Sequence, residues 1–167
     1  MTTEFTYPPV SGQFEEKPFD LNTVWKSSEW SWVKFSSDME EWYGSFRGTA
    51  IKVATATQLG LAAVLTSDCF YIINPFDREV AFFDPQTMIQ QLASDSNGSK
   101  FIVADWYTLK YIEADLIFKE IPSHIECDNI EFGKVLDNKL QLNFEEIPDY
   151  QIRNGLLDLK TWDLQII

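Results

Sequence analysis

Residues 64–73 read VLTSDCFYII, and residues 101–112 read FIVADWYTLKYI. Each is an apolar run, a small residue, an aspartate, aromatic residues and a second apolar run. Two short runs of β-branched and aromatic residues around a polar break are the signature of a β-hairpin. The likeness extends outward, since EADLIFKEI at 113–121 follows the second copy as REVAFFDP at 78–85 follows the first. FGKVLDNKLQLNFEEI at 132–147 is a third, weaker copy, with Asp137–Asn138 as its turn. The steps from Asp68 to Asp105 and on to Asp137 are roughly 35 residues, in the range of stacked hairpin units. A complete propeller wants at least four blades of about 40 residues, so the chain is short for one. The fold expected is mainly β: an antiparallel hairpin meander in a sandwich or partial propeller-like sheet.

The flanks agree. GTAIKVATATQ at 48–58 is rich in β-branched residues, and GLLDLKTWDLQII at 155–167 reads as a closing strand with Leu157 and Leu159 opposed to Asp158, Lys160 and Trp162. Residues 1–20 carry Pro8, Pro9, Gly12 and Pro18, which interrupt any period, so they are expected as an extended N-terminal arm. Residues 21–167 are then one β-rich domain, a size able to bury a real core.

Two short helices are expected near 38–43 and 85–93. Ser37 with Glu40 three residues later has capping-box form, Asp38 and Glu41 fall in the first turn, and Gly44 is the stop. This helix would turn Met39, Trp42 and Tyr43 inward. Asp84 before Pro85 is the second start signal, with Met88, Ile89 and Leu92 facing inward.

Between 28 and 48 the chain holds Trp30, Trp32, Phe35, Trp42, Tyr43 and Phe46 among serines and carboxylates. A strand from Val24 to Phe35 would put Trp30 and Trp32 on one face and Val33 and Phe35 on the other. Such a cluster either closes the core, anchors an interface, or stacks on a sugar or other planar ligand. The other tryptophans, at 25, 106 and 162, are scattered, which fits a general packing habit and core closure here, with an edge that serves as a contact surface.

The chemistry of catalysis is thinly represented. His124 is the sole histidine, so a site built on two imidazoles is excluded. His124 and Cys127 are three apart, a spacing that points them to opposite faces of a strand, and a half-buried structural histidine is expected. Cys69 and Cys127 are expected as reduced, buried thiols. Neither GSFRG nor FGKVLDNK has the spacing of a phosphate-binding loop. DSNGS at 95–99 begins like a calcium loop but lacks the closing glutamate, so it is expected as an exposed turn. Asp68 and Asp105, at matched places in the two copies, are expected to cap their hairpins as Asx-turns. No catalytic residue, metal site or cofactor is assigned.

The chain has 26 acidic and 13 basic side chains, a net charge of −13, spread along its whole length. With no basic cluster to neutralise phosphates, direct nucleic-acid binding is disfavoured. A basic partner is favoured, because the field would steer its approach. With neither an export signal nor an apolar run of membrane length, a cytoplasmic location is expected. The function expected is that of a small acidic interaction protein that binds and neutralises a basic protein, a toxin or a nucleic-acid-binding enzyme, in the manner of an immunity protein or a nucleic-acid mimic. Its candidate contacts are Trp30, Trp32, Glu40, Glu41, Trp42, Tyr43, Asp105, Trp106 and Tyr107. The alternative is a small-ligand-binding or hydrolytic β-domain using an aromatic pocket with one or two carboxylates.

Overall fold

The computed structural model describes residues 1–21 and 27–167. Sixteen strands and no helix occur among them. They form four four-stranded sheets, antiparallel in all but one pairing. The contacts divide the chain into two compact units, Met1–Thr87 and Met88–Ile167.

The first unit holds β1 (Thr2–Thr6), β2 (Glu15–Phe19), β3 (Trp30–Ser36) and β4 (Glu41–Arg47), in the spatial order β1-β3-β4-β2. β2 runs parallel to β4. Residues 1–20 thus supply both edge strands of this sheet. The second sheet is the plain meander β5 (Ala50–Ala56), β6 (Leu61–Thr66), β7 (Phe70–Asn74) and β8 (Glu79–Asp84). One core joins the two sheets. Phe19, Val33, Phe35, Trp42 and Phe46 come from the first, and Ala62, Val64, Tyr71 and Ile73 from the second. Within it Phe35 and Trp42 stack at 4.1 Å, and Phe19 and Phe46 at 4.6 Å. Gly44 makes room for the second stack, since a Cβ there would stand 2.8 Å from the Phe46 ring and 3.1 Å from that of Phe19. Trp42 Nε1 donates to Pro75 O at 3.0 Å, and Tyr71 OH to Phe19 O at 3.1 Å, so both buried polar atoms are satisfied across the sheets.

The second unit repeats the plan. β9 (Gln91–Ser94), β10 (Phe101–Ala104), β11 (Leu109–Ile112) and β12 (Phe118–Glu120) form one meander. β13 (Cys127–Leu136), β14 (Lys139–Glu146), β15 (Gln151–Asp158) and β16 (Leu164–Ile166) form the other. Ile102, Leu109, Ile130, Leu140, Leu142, Phe144 and Leu157 are buried together between them. Asp137 and Asn138, at φ 50° and 60°, make the tight turn expected between β13 and β14.

Both expected helices are corrected. Residues 37–40 are a hairpin loop, with Ser37 N donating to Glu40 O at 2.9 Å. Ser37 Oγ does cap the backbone N–H groups of Met39 and Glu40, but these close a turn. The next residues then run as β4, with Met39 exposed rather than inward. Asp84 likewise caps the N–H of Gln86. Residues 85–90 are turn and irregular chain leading into β9, and Met88 is exposed while Ile89 and Leu92 are buried. The strand expected from Val24 begins at Trp30, and Val24 and Trp25 lie outside the described residues. The closing strand breaks at Asp158, whose carboxylate takes the N–H groups of Lys160 and Thr161. Among the described residues no helix is long and apolar enough to cross a membrane.

The matched aspartates are not equivalent. Asp105 caps its hairpin as expected, accepting from Tyr107 N at 2.9 Å and Thr108 N at 2.8 Å. In the first copy that place is taken by Thr66, whose Oγ1 accepts from Asp68 N and Cys69 N. Asp68 reaches instead across the unit to the N–H of Ser27, at 2.9 Å. The sequence copies align by aspartate, but the hairpins align by their first loop residue.

Two stability predictions follow from this packing. Trp42→Ala should cost about 3–5 kcal/mol in urea unfolding, while Trp30→Ala, at the rim, should cost under about 1.5 kcal/mol. Burial pushes the Asp105 carboxyl up, but bonds from Thr108, Tyr107 and Lys110 outweigh it and hold the pKa below its usual value. A carboxyl lowered in the folded state stabilises above its unfolded pKa of about 3.9 and loses that contribution as pH falls through the folded value. Asp105→Ala should therefore be about 1–2 kcal/mol less stable at pH 7, with the gap closing on acidification below about pH 4.

Candidate functional site

The candidate contact residues fall into separate places. Trp30 and Trp32 stand on the same face of β3, two residues apart, and Val33 and Phe35 on the other, as expected. Both tryptophans line a groove of about 510 Å³ with Phe5, Tyr7, Pro8 and Glu29. Trp30 is 38% exposed, and the Arg47 guanidinium lies 4.3 Å from its ring centre. Glu40 and Glu41 sit at the opposite end of the same hairpin, because Trp30 pairs with Arg47 and Ser36 with Glu41. Their charges are met inside the unit. Glu41 accepts from Lys34 at 2.8 Å and from Tyr43 OH at 3.0 Å, and Arg78 approaches Glu40 at 3.4 Å. The Lys34 bond holds the Glu41 carboxyl below its ordinary pKa. Trp42 and Tyr43 are buried, so neither presents a surface for contact.

In the second unit the outcome differs. The β10–β11 loop is a four-residue turn fixed by Asp105, so the next two side chains are thrown outward. Trp106 is 43% exposed and Tyr107 is 62% exposed. Asp105 itself is occupied by four donors, including Lys110 Nζ at 3.3 Å, and serves to hold the loop. Clefts flank the tip. One, of about 510 Å³, is lined by Trp106 with Gln90, Asn129, Glu131, Asn143, Glu145 and Ile152. The other, of about 310 Å³, is lined by Tyr107 with Glu120, Ile121, Glu126 and Ile147.

The first cleft is a consequence of strand alternation. β14 alternates exposed and buried residues, sending Leu140, Leu142 and Phe144 to the core and Gln141, Asn143 and Glu145 to the outer face. Glu131 pairs with Asn143 and Ile152 with Glu145, so these side chains share that face. Gln91 Oε1 accepts from Phe132 N at 3.1 Å, which ties β9 to β13 beside the cleft. Glu131 and Glu145 were not singled out in the sequence. The alternation of β14 marks Glu145 as outward, but the acids are so numerous that neither carboxylate stands out. Glu120, Glu126, Glu131 and Glu145 make no ion pair among the described residues.

The thiols and the histidine offer no nucleophile. Cys69 and Cys127 are buried and unbridged, as expected. Burial pushes both thiols up, Cys127 to about 11. His124 lies exposed in the loop before β13, correcting its expected half-burial on a strand. In the DSNGS turn Asp95 is itself buried, with its carboxylate bonded to Ser99 N, Ser99 Oγ and Lys100 N. Among the described residues no three His, Cys, Asp or Glu side chains are grouped to hold a metal ion.

The sequence matches no known protein family. No curated protein matches it either. Among solved structures, one similar chain is in a complex of a Saccharomyces cerevisiae Dbp5 variant bound to Nup159, a Gle1 variant, IP6 and ADP. Identity is 9%, the TM-score is 0.48, and the match covers 72% of this chain and 34% of that one. The N-terminal domain of Nup159, solved alone, matches with 9% identity and a TM-score of 0.49 over the same shares. This chain thus spans about a third of the length of the chains it resembles, and the likeness is distant.

Proposed function

We propose that this chain is an acidic cytoplasmic interaction protein that binds and neutralises a basic protein, in the manner of an immunity protein or a nucleic-acid mimic. The contact surface is the Trp106–Tyr107 tip and its flanking clefts. One observation carries the reading: exposed aromatics and unpaired carboxylates occur together there, whereas in the first unit the candidate acids are already paired. Glu120 and Glu126 line the Tyr107 cleft, and Glu131 and Glu145 the Trp106 cleft. Aromatic rings supply contact area at low entropic cost, and carboxylates around them select a cationic partner. A net charge of −13 accelerates the encounter at low ionic strength.

The alternative, a small-ligand-binding or hydrolytic domain, is supported by the Trp30–Trp32 groove, which is of ligand size and contains Glu29. Among the described residues Glu29 is the sole carboxylate lining this groove, whereas general acid–base hydrolysis by a carboxylate pair needs two.

The test uses the full chain as bait in nuclease-treated lysate, followed by purification of the retained basic protein and calorimetric titration of the pair. Wild type should bind with an affinity that falls as salt rises. Trp106→Ala combined with Glu131→Gln and Glu145→Gln should weaken binding at least tenfold and flatten the salt dependence. Undiminished binding by that variant, or retention of no basic protein, overturns the reading.

A further inference from the structure

Three of the tryptophans are coupled to cations that carboxylates hold in place. The Arg47 guanidinium lies 4.3 Å from the Trp30 ring centre, while its Nε and Nη2 donate to the two Asp20 oxygens at 2.7 and 2.9 Å. Arg78 lies 5.2 Å from the Trp42 ring centre, and its two terminal nitrogens donate to Glu15 and Glu40. Lys100 Nζ is 4.7 Å from the Trp162 ring centre and 3.9 Å from Glu113. The physical reason is general. The indole face attracts a cation, and a planar guanidinium can lie on that face while its in-plane N–H groups remain free for carboxylates. Two of the three arginines are used in this way, and the third, Arg153, bonds Glu146 at 2.8 Å.

Trp106 has the ring and the carboxylates of this arrangement without a cation from the described residues. No Lys or Arg of the described residues lies over its ring, and neither Glu131 nor Glu145 has an ion pair among them. These three side chains line one cleft of about 510 Å³, large enough for a side chain and its flanking peptide. Glu131 pairs with Asn143, two residues before Glu145 on β14, so the carboxylates stand diagonally on one face. A register shift between Asp128 and Glu131 lies between them, so the two carboxylates reach the cleft from separate points of its wall. That separation suits a broad planar cation with donors on several edges better than a compact ammonium, which a single carboxylate satisfies. Gln90, Asn129 and Asn143 add amide groups able to bond the peptide on either side.

We propose that this cleft is a receptor for an arginine side chain of the partner, with the guanidinium stacked on Trp106 and bonded to Glu131 and Glu145. The assignment rests on the basic-partner reading and names the group that the partner inserts. It predicts that the partner's contact segment carries an exposed arginine that lysine cannot replace.

The experiment titrates the ¹⁵N-labelled full chain with the capped tripeptide Ac-Gly-Arg-Gly-NH2 and follows the tryptophan indole N–H signals. The Trp106 signal is identified by its loss in Trp106→Phe, and unmoved signals from the other indoles report an intact fold. The Trp106 signal should shift saturably with the arginine peptide and at least threefold more weakly with the lysine peptide. It should not respond to the citrulline peptide, which keeps the shape and lacks the charge. Glu131→Gln with Glu145→Gln should weaken the arginine response at least tenfold. An unmoved Trp106 signal, an equal response to lysine, or full binding by the double variant overturns the assignment. If the arginine peptide fails while a captured basic protein still depends on Trp106, the arginine receptor is lost and the basic-partner reading stands. If the peptide binds and no basic protein is retained, the loss falls on that reading alone.

Discussion

A short side-chain oxygen at the point where one strand stops is the interaction on which much of this structure depends. Ser37, Thr66, Asp95, Asp105 and Asp158 each accept backbone N–H groups from the residues two to five positions ahead. At each of these positions the same residue's N–H donates back to the carbonyl that closes the loop. Loop length and register are thereby fixed together. Register matters because a slip of one residue would exchange the two faces of the next strand, which after Ser37 would send Trp42 and Phe46 off the core face and Tyr43 and Ser45 onto it. The registers of β4, β7, β10, β11 and β16 are thus set by a few hydroxyls and carboxylates in the loops.

This explains which parts of the structure were legible in the sequence. Apolar runs such as FYII and FIVA, both fully buried, could be read as strands because strands covered on both faces need no alternation. The hairpin plan and the Asp137–Asn138 turn were readable for similar local reasons. The helices at 38–43 and 85–93 were misread because a serine or aspartate ahead of free N–H groups looks the same at a helix start and at a hairpin loop. What decides between them lies further on. At Ser37 the deciding fact is that Trp42, Gly44 and Phe46 must all reach one core face, a period of two. The pairing of β2 alongside β4 was not legible at all, since a parallel contact between residues 15–19 and 42–46 leaves no mark on either stretch.

The aromatic stretch at 28–48 was legible in composition and not in orientation. Trp30 and Trp42 look alike in the sequence, and both carry an arginine on the ring, yet one is at a rim and the other is wholly buried. The difference comes from strand parity and from Pro75, whose carbonyl satisfies the Trp42 indole N–H inside the core. In the same way Glu40 and Glu41 read as free acids beside aromatics until Arg78 and Lys34 are found opposite them.

Acidity by itself does not locate a site, because with 26 acids and 13 bases most surfaces of this chain are negative. The informative quantity is where the excess remains unpaired beside exposed apolar area. Strands β6, β7 and β10 are buried on both faces and have no surface to offer. In the first unit the carboxylates of Asp20, Glu15, Glu40, Glu41 and Glu79 are matched by Arg47, Arg78, Lys34 and Lys17. The β13–β15 face is covered on one side only, and its outward residues include Glu131 and Glu145, which make no ion pair among the described residues. Ile152 is 70% exposed on the same face, and Trp106, turned outward by the Asp105 loop, lines the same cleft. Leaving a large apolar ring and two like charges together costs folding energy on both counts. A cation held against the ring would relieve the charge repulsion and the exposure at once, which is why the partner inferred for this face is a basic one.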